Sequence, residues 1–293
     1  MEVNERDPVS GRETTGHEWN GIKELDTPVP RGVLMFLIIT HVWALAWWFM
    51  VPSWPLGTTY TKGLLGVDQR QTVNAKVVQG RNEQAPWAKR IETEDYSKIL
   101  ADQDLMQAVR GTGRQLFGDN CAACHGRDGK GRANYPDLTD DDWLWGGGPE
   151  RIEQTMRVGI NTEHPDSRVG QMPAFGRDNM LDAEQVKSVA AYVYSLTHPD
   201  HATPDHAKRI ASGAEVFQTV CAACHGENAK GSQEAGAPNL TDSHWIYGGE
   251  LDTIIASVHG GRQGHMPTWD ERLSVAEIRT LALYVHDLES NKR

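Results

Sequence analysis

All four cysteines of this 293-residue chain fall in two copies of one string, Asn120-Cys-Ala-Ala-Cys-His-Gly126 and Val220-Cys-Ala-Ala-Cys-His-Gly226. Cys-x-x-Cys-His is the attachment signature of c-type haem: two thiols add across the porphyrin vinyls, and the next residue turns its imidazole to the iron. A structural zinc site or a redox dithiol leaves the histidine after the second cysteine unexplained in both copies. Disulfides would strand two imidazoles without a role. The chain must therefore fold around two porphyrin-sized groups, and two covalently bound haem c are expected.

The strings belong to a longer repeat. Pro136-Asp-Leu-Thr-Asp140 returns as Pro238-Asn-Leu-Thr-Asp242, Trp143-Leu-Trp-Gly-Gly147 as Trp245-Ile-Tyr-Gly-Gly249, Gly170-Gln-Met-Pro173 as Gly264-His-Met-Pro267, and Ala191-Tyr-Val193 as Leu283-Tyr-Val285. Landmarks in one order mean a duplicated domain. Leu105, Val109, Leu116 and Phe117 recur at helical spacing before the first motif, with Val216 and Phe217 in the matching place of the second. Ser274-Val-Ala-Glu277 reads as a capping box opening a last helix with Ile278, Leu281, Leu283, Val285 and Leu288, and Asp182 with Gln185 is its weaker counterpart.

The sixth iron ligand separates electron carriers from haems that bind substrates. Met266 is the only methionine of the second repeat; the first offers Met156, Met172 and Met180. Alignment of the repeats selects Met172, leaving Met156 and Met180 as core or surface residues. His164, His259 and His265 are the imidazole alternatives. With methionine on both irons no position is left open for oxygen or peroxide, so the protein is expected to pass electrons. Trp143, Trp145, Trp245 and Tyr247 read as packing elements, with hydrogen bonds to haem propionates as the other reading. Asp140 to Asp142 reads as a solvated helix start, or else as a docking patch for a basic donor. Three histidines, His198, His201 and His206, lie in a proline-marked linker.

Residues 33–52, VLMFLIITHVWALAWWFMVP, match a hydrocarbon core of about 30 Å, and some thirty polar residues precede them, which fits an uncleaved anchor rather than a signal peptide. His41 near its middle reads as a neutral, locally hydrogen-bonded histidine. The net charge of −11 removes any electrostatic basis for nucleic-acid binding. The expected fold is all-α: one N-terminal transmembrane helix followed by two tandem cytochrome c-type domains. The expected divisions are a cytoplasmic segment at 1–32, the helix at 33–52, a linker with little core at 53–101, domain 1 at 102–198, a second linker at 199–206 and domain 2 at 207–293.

The order of parts resembles CcoP/FixP, the dihaem subunit of cbb3-type cytochrome c oxidases. The more specific signs are Trp19-Asn-Gly-Ile-Lys-Glu-Leu-Asp-Thr-Pro-Val-Pro-Arg31 before the membrane helix, with Asn20 in place of the usual aspartate, and the loop His164 to Phe175. By this resemblance Cys121, Cys124, His125 and Met172 serve the first haem, and Cys221, Cys224, His225 and Met266 the second. It implies that electrons arrive from a periplasmic cytochrome c or the bc1 complex and pass through a monohaem cytochrome c subunit to a catalytic haem b/copper subunit, where oxygen is reduced. It also implies a bacterial cytoplasmic membrane, with the N-terminus cytoplasmic and the haem domains periplasmic. The competing readings are a membrane-anchored dihaem cytochrome c serving a dehydrogenase or reductase, a dihaem peroxidase, and a tether that mainly stabilises assembly.

Overall fold

The computed structural model describes residues 5–201 and 203–290. It consists of two units, Met1–Asn82 and Glu83–Arg293.

In the first unit, strands β1 (Thr14–Trp19) and β2 (Ile22–Leu25) pair antiparallel, with Trp19 opposite Ile22. Asn20 and Gly21 make the turn at φ 52° and 86°. Two left-handed residues in a two-residue loop match the strand twist, which is why Asn-Gly is favoured there. This hairpin lies in the segment 1–32, for which no element was expected, and its Asn-Gly signal was in plain view. Helix α1 (Arg31–Met50) has 20 residues, none buried within the protein, and a mean hydropathy of 2.0 over its best window. At 1.5 Å per residue it is about 30 Å long, enough to cross a bilayer. It stops two residues short of the expected boundary because Val51 precedes Pro52 and is extended at φ −116°, ψ 163°. His41 Nδ1 lies 2.8 Å from the Leu37 carbonyl, the local pairing expected of it.

Helix α2 (Gln69–Thr93) corrects the reading of 53–101 as a connecting segment. Val73, Val77 and Val78 are exposed among mostly polar neighbours, so it shows no sustained apolar period, yet its Gln, Lys, Ala, Arg and Glu residues favour helix on their own account. Its last turn belongs to a core: Ile91 is buried with Tyr96, Ile99, Leu105, Met106, Val109 and Leu283. Arg279 locks that turn, donating to the carbonyls of Ile91 at 2.6 Å and Glu94 at 2.5 Å while lying over the Tyr96 ring.

The second unit continues through α3 (Tyr96–Ala101), α4 (Gln103–Asn120), α5 (Ala122–His125), α6 (Pro149–Val158), strand β3 (Gln171–Met172) and α7 (Ala183–Thr197). A 3₁₀ turn (Pro199–His201) leads into α8 (Pro204–Val216), a π-turn (Phe217–Cys221), α9 (Ala222–His225), α10 (Leu251–Gly260), strand β4 (Arg262–Gln263) and α11 (Val275–Ser290). The capping strengths are the reverse of those expected. Asp182 and Gln185 form the complete reciprocal box, whereas the return bond from Glu277 N–H to Ser274 is long at 3.4 Å.

The two repeats exchange their closing helices. α7 of the first repeat packs on α8 and α10 of the second, and α11 of the second packs on α4 and α6 of the first. One core joins Val186, Val189, Ala190 and Val193 to Phe217, Ile254 and Val258; another joins Phe117, Ile152 and Met156 to Ile278, Leu281, Ala282 and Val285. The crossings are equivalent: Gly113 lies against Tyr284, and Gly213 against Ser188 and Tyr192. Phe117 then meets Tyr284 and Phe217 meets Tyr192, at 5.7 and 5.3 Å between ring centres. The tandem cytochrome domains expected at 102–198 and 207–293 thus share their closing helices, each core being completed by a helix of the other repeat. The connection between α7 and α8 is short, so α7 finds α8 as its neighbour and leaves α4 to α11.

Candidate haem sites

Each Cys-x-x-Cys-His string occupies a short helix that follows a longer one: α5 after α4, and α9 after α8. Phe117 and Phe217, 1% and 0% exposed, anchor the long helices and so fix where the cysteines emerge. Burial disfavours the thiolate and pushes Cys121 up to about 12 and Cys221 up to about 11, while Cys124 and Cys224 are exposed. Each motif therefore presents one inner and one outer thiol.

His125 Nδ1 lies 3.2 Å from the Pro136 carbonyl, and His225 Nδ1 lies 3.0 Å from that of Pro238. A carbonyl can only accept, so Nδ1 carries the proton in both rings and Nε2 keeps its lone pair for a metal. Burial lowers both imidazole pKa values and keeps the rings neutral. Trp143 Nε1 is a buried donor with no hydrogen-bond partner among the described residues. Cys121 and Trp143 pack against one cluster, and the unfilled N–H fits an acceptor such as a porphyrin carboxylate, so the residues present suit the group that the motif calls for.

The methionines follow the exchanged helices. Met266 packs in the cluster that holds Cys121, Ala122, Leu138 and Trp143; Met172 packs in the one that holds Cys221, Ala222, Leu240 and Trp245. The pairing expected from repeat alignment, Met172 with the first motif and Met266 with the second, is not the one brought together. The physical reason is visible in the backbone. Ile160, just after α6, exchanges hydrogen bonds with Met266 at 2.9 and 3.1 Å, and β3 with Met172 pairs with β4 just after α10. Gly159 and Gly261 hold φ 69° and 70°, and a Cβ on either would come within 2.6 Å of a carbonyl oxygen, of Met266 and of Met172 respectively. Only glycine lets the two methionine loops approach this closely.

Asn161 was missed by sequence reasoning. Its amide nitrogen donates to the carbonyls of Gly170 at 2.9 Å and Gly264 at 2.7 Å, tying the two loops together. Nothing in a lone asparagine announces this. Arg168 and Arg262 stand four residues before their methionines and lie over Trp145 and Tyr247, at 5.1 and 4.6 Å; that shared offset was available in the sequence. Met156 is core and Met180 surface, as expected. Of the alternative imidazoles, His164 faces Asp270 at 3.5 Å, and His259 and His265 are exposed. No helix starts at Asp140, since the next begins at Pro149; within the run the Asp140 side chain is only 9% exposed, while Asp141 is exposed as the solvated reading expects. His201 stacks on His206 at 4.3 Å, and His198 on Tyr194 at 3.9 Å.

An apolar N-terminal helix followed by two tandem haem-binding domains defines a membrane-anchored cytochrome c. The family model for the N-terminal domain of cytochrome oxidase-cbb3, FixP, matches residues 11–58, and that for cytochrome c oxidase, cbb3-type, subunit III, matches 108–193 and 208–285. A cbb3-type cytochrome c oxidase subunit FixP of Bradyrhizobium sp. (strain ORS 278) is 44% identical over 98% of both chains. Subunits CcoP of Azospirillum brasilense and Cereibacter sphaeroides are each 42% identical, over 100% and 94% of both chains. The chain belongs to the CcoP/FixP family of cbb3-type cytochrome c oxidase subunits.

Proposed function

We propose that the chain holds two haem c groups with exchanged methionines and carries electrons from a periplasmic cytochrome c or bc1 complex towards the oxygen-reducing subunit. Each haem c, when bound, supplies a one-electron iron couple whose potential is raised by methionine ligation. The chain's own residues do the rest. Cys121 with Cys124, and Cys221 with Cys224, fix the group covalently. His125 and His225, oriented by the Pro136 and Pro238 carbonyls, present Nε2. Met266 closes the first site and Met172 the second, leaving no open position for oxygen or peroxide; this favours carriage over turnover. The observation that carries the pairing is that Met266 packs against the same core cluster as Cys121 and Trp143, and Met172 against the same cluster as Cys221 and Trp245. The N-terminal segment lies in the cytoplasm of a bacterium and the haem domains in the periplasm, where haem of this type is attached; a monohaem cytochrome c subunit is the immediate acceptor.

The test uses a chain with Cys221 and Cys224 changed to serine, which leaves only the first attachment site. In that background Met266→His lowers the remaining potential and Met172→His leaves it unchanged. The opposite result restores pairing within each repeat. Co-purification with a CO-binding b haem and oxygen uptake tests the oxidase role on the same preparation.

A further inference from the structure

Two arginines stand at equivalent places in the repeats, each held by neutral groups alone. Arg168 and Arg262 lie four residues before a methionine and over the rings of Trp145 and Tyr247, which match each other in the repeated string, at 5.1 and 4.6 Å. Both are half-buried. Arg168 donates from Nε to Thr155 Oγ1 at 2.8 Å and from Nη2 to Gln154 Oε1 at 3.1 Å. Arg262 donates from Nε to Ser257 Oγ at 2.9 Å. No carboxylate among the described residues forms an ion pair with either guanidinium; Glu234, whose charge reaches Arg168, is held by Arg151 at 2.9 Å. In a chain with 40 acidic against 29 basic residues, two half-buried cations left to hydroxyls and an amide call for an anion that the chain itself does not supply.

The packing assigns each arginine to one haem site. Ile160 bridges to Arg168 on one side and to Met266 on the other. Gln154 and Thr155 belong to α6, whose Ile152 and Met156 line the core that takes Cys121, Trp143 and Met266. Arg262 is paired with Met172 in the β3–β4 register. Ser257 belongs to α10, whose Ile254 and Val258 line the core that takes Cys221, Trp245 and Met172. Each arginine thus neighbours the methionine that crosses from the other repeat, not the one four residues along its own chain. At the first site the buried Trp143 N–H is a second donor in want of an acceptor.

We propose that Arg168 and Arg262 are the charge partners of the haem carboxylates, Arg168 at the first motif's haem and Arg262 at the second's. The inference rests on the two-haem reading above. A guanidinium is planar, always charged and weakly hydrated, so it can stack on a ring and still present a fork to a carboxylate. A bare propionate stabilises ferric iron, which carries one more positive charge than ferrous iron. An arginine that neutralises it raises the potential, in the same direction as methionine ligation. Both are positioning residues that hold the carboxylate edge of the ring and set its charge.

The full haem-loaded chain in detergent is titrated against redox mediators between about pH 6 and pH 8, with haem content and the methionine absorption band recorded on the same sample. Full-length chains with one Cys pair changed to serine assign each potential to its haem. Arg168→Gln is expected to lower the first haem's potential by about 59 mV, a 10-fold loss in the reduction equilibrium constant, and to leave the second's in place; Arg262→Gln does the reverse. Arg168→Lys, which keeps the charge, restores most of the loss. A propionate without its cation titrates nearer neutral pH, so in the glutamine variants the potential falls as pH rises, a slope that the native chain lacks. Arg151→Gln and Glu234→Gln, at the charged groups beside Arg168, leave the potential flat with pH. If Arg168→Gln loses its methionine band, Arg262→Gln carries the test. Two haems with methionine bands and unchanged potentials in the glutamine variants overturn this proposal alone. A lowered potential with no pH slope and no rescue by lysine makes the arginine merely structural and overturns it as well. A chain without haem c, or methionine variants that leave both potentials unmoved, overturns the two-haem reading and this inference with it.

Discussion

Gly159 and Gly261 are the residues on which the exchanged geometry turns. Each ends a helix at positive φ, and each has the backbone of the other repeat's methionine loop where a Cβ would go. Alanine at either position must take up an unfavourable backbone conformation and push that loop away, at a cost of about 1–3 kcal/mol. The two substitutions are expected to act on different haems. Gly159→Ala loosens Met266 and so disturbs the first motif's haem, while Gly261→Ala loosens Met172 and disturbs the second's. Spectra of single-haem variants check which iron loses its methionine band, and denaturant unfolding checks the stability loss. At this scale each Cys-x-x-Cys-His string and each Met-Pro loop could be read as a repeated string, because both recur in the same order in the two halves of the chain. Asn161, which ties the loops to each other, was not legible, since its partners are carbonyls that any residue could supply.

Helix α4 begins at Asp102, whose carboxylate accepts the N–H groups of Asp104 and Leu105, both at 3.1 Å, and pairs with Arg90 at 3.0 Å. These partners favour the charged form and hold its pKa below the ordinary aspartate value. The unfolded chain therefore takes up this proton first as pH falls. The contribution to stability is present above about pH 4 and is lost as pH drops through the depressed value. Asp102→Asn is expected to flatten that part of the stability profile, measured as the denaturant midpoint between pH 6 and pH 2. Elements were read from sequence wherever an apolar period or a hydrophobic span marked them, as in α1, α4 and α11. Helix α2 escaped because its few apolar residues, scattered among polar ones, leave no sustained period. The β1–β2 hairpin escaped because its only mark is the Asn20-Gly21 turn.

Across the second unit, neither repeat completes its own core. A chain ending after His198 would retain α7 but lose α8 and α10, exposing Val186, Val189, Ala190 and Val193, and α4 and α6 would lose α11. Such a fragment is expected to attach haem at Cys121 and Cys124 yet to be protease-sensitive and to lack a methionine band. A folded, methionine-ligated fragment would instead mean that Met172 can serve the first motif within its own repeat. By itself the sequence determined the apolar N-terminal helix, the duplication and the family, because each of these is written in local spacing or composition. Which methionine meets which motif was left to the tertiary structure. Two equivalent repeats carry the same apolar pattern, so α7 and α11 fit either partner by pattern alone. The choice is made by a short α7–α8 connection, by the crossings at Gly113 and Gly213, and by loops that close only against Gly159 and Gly261.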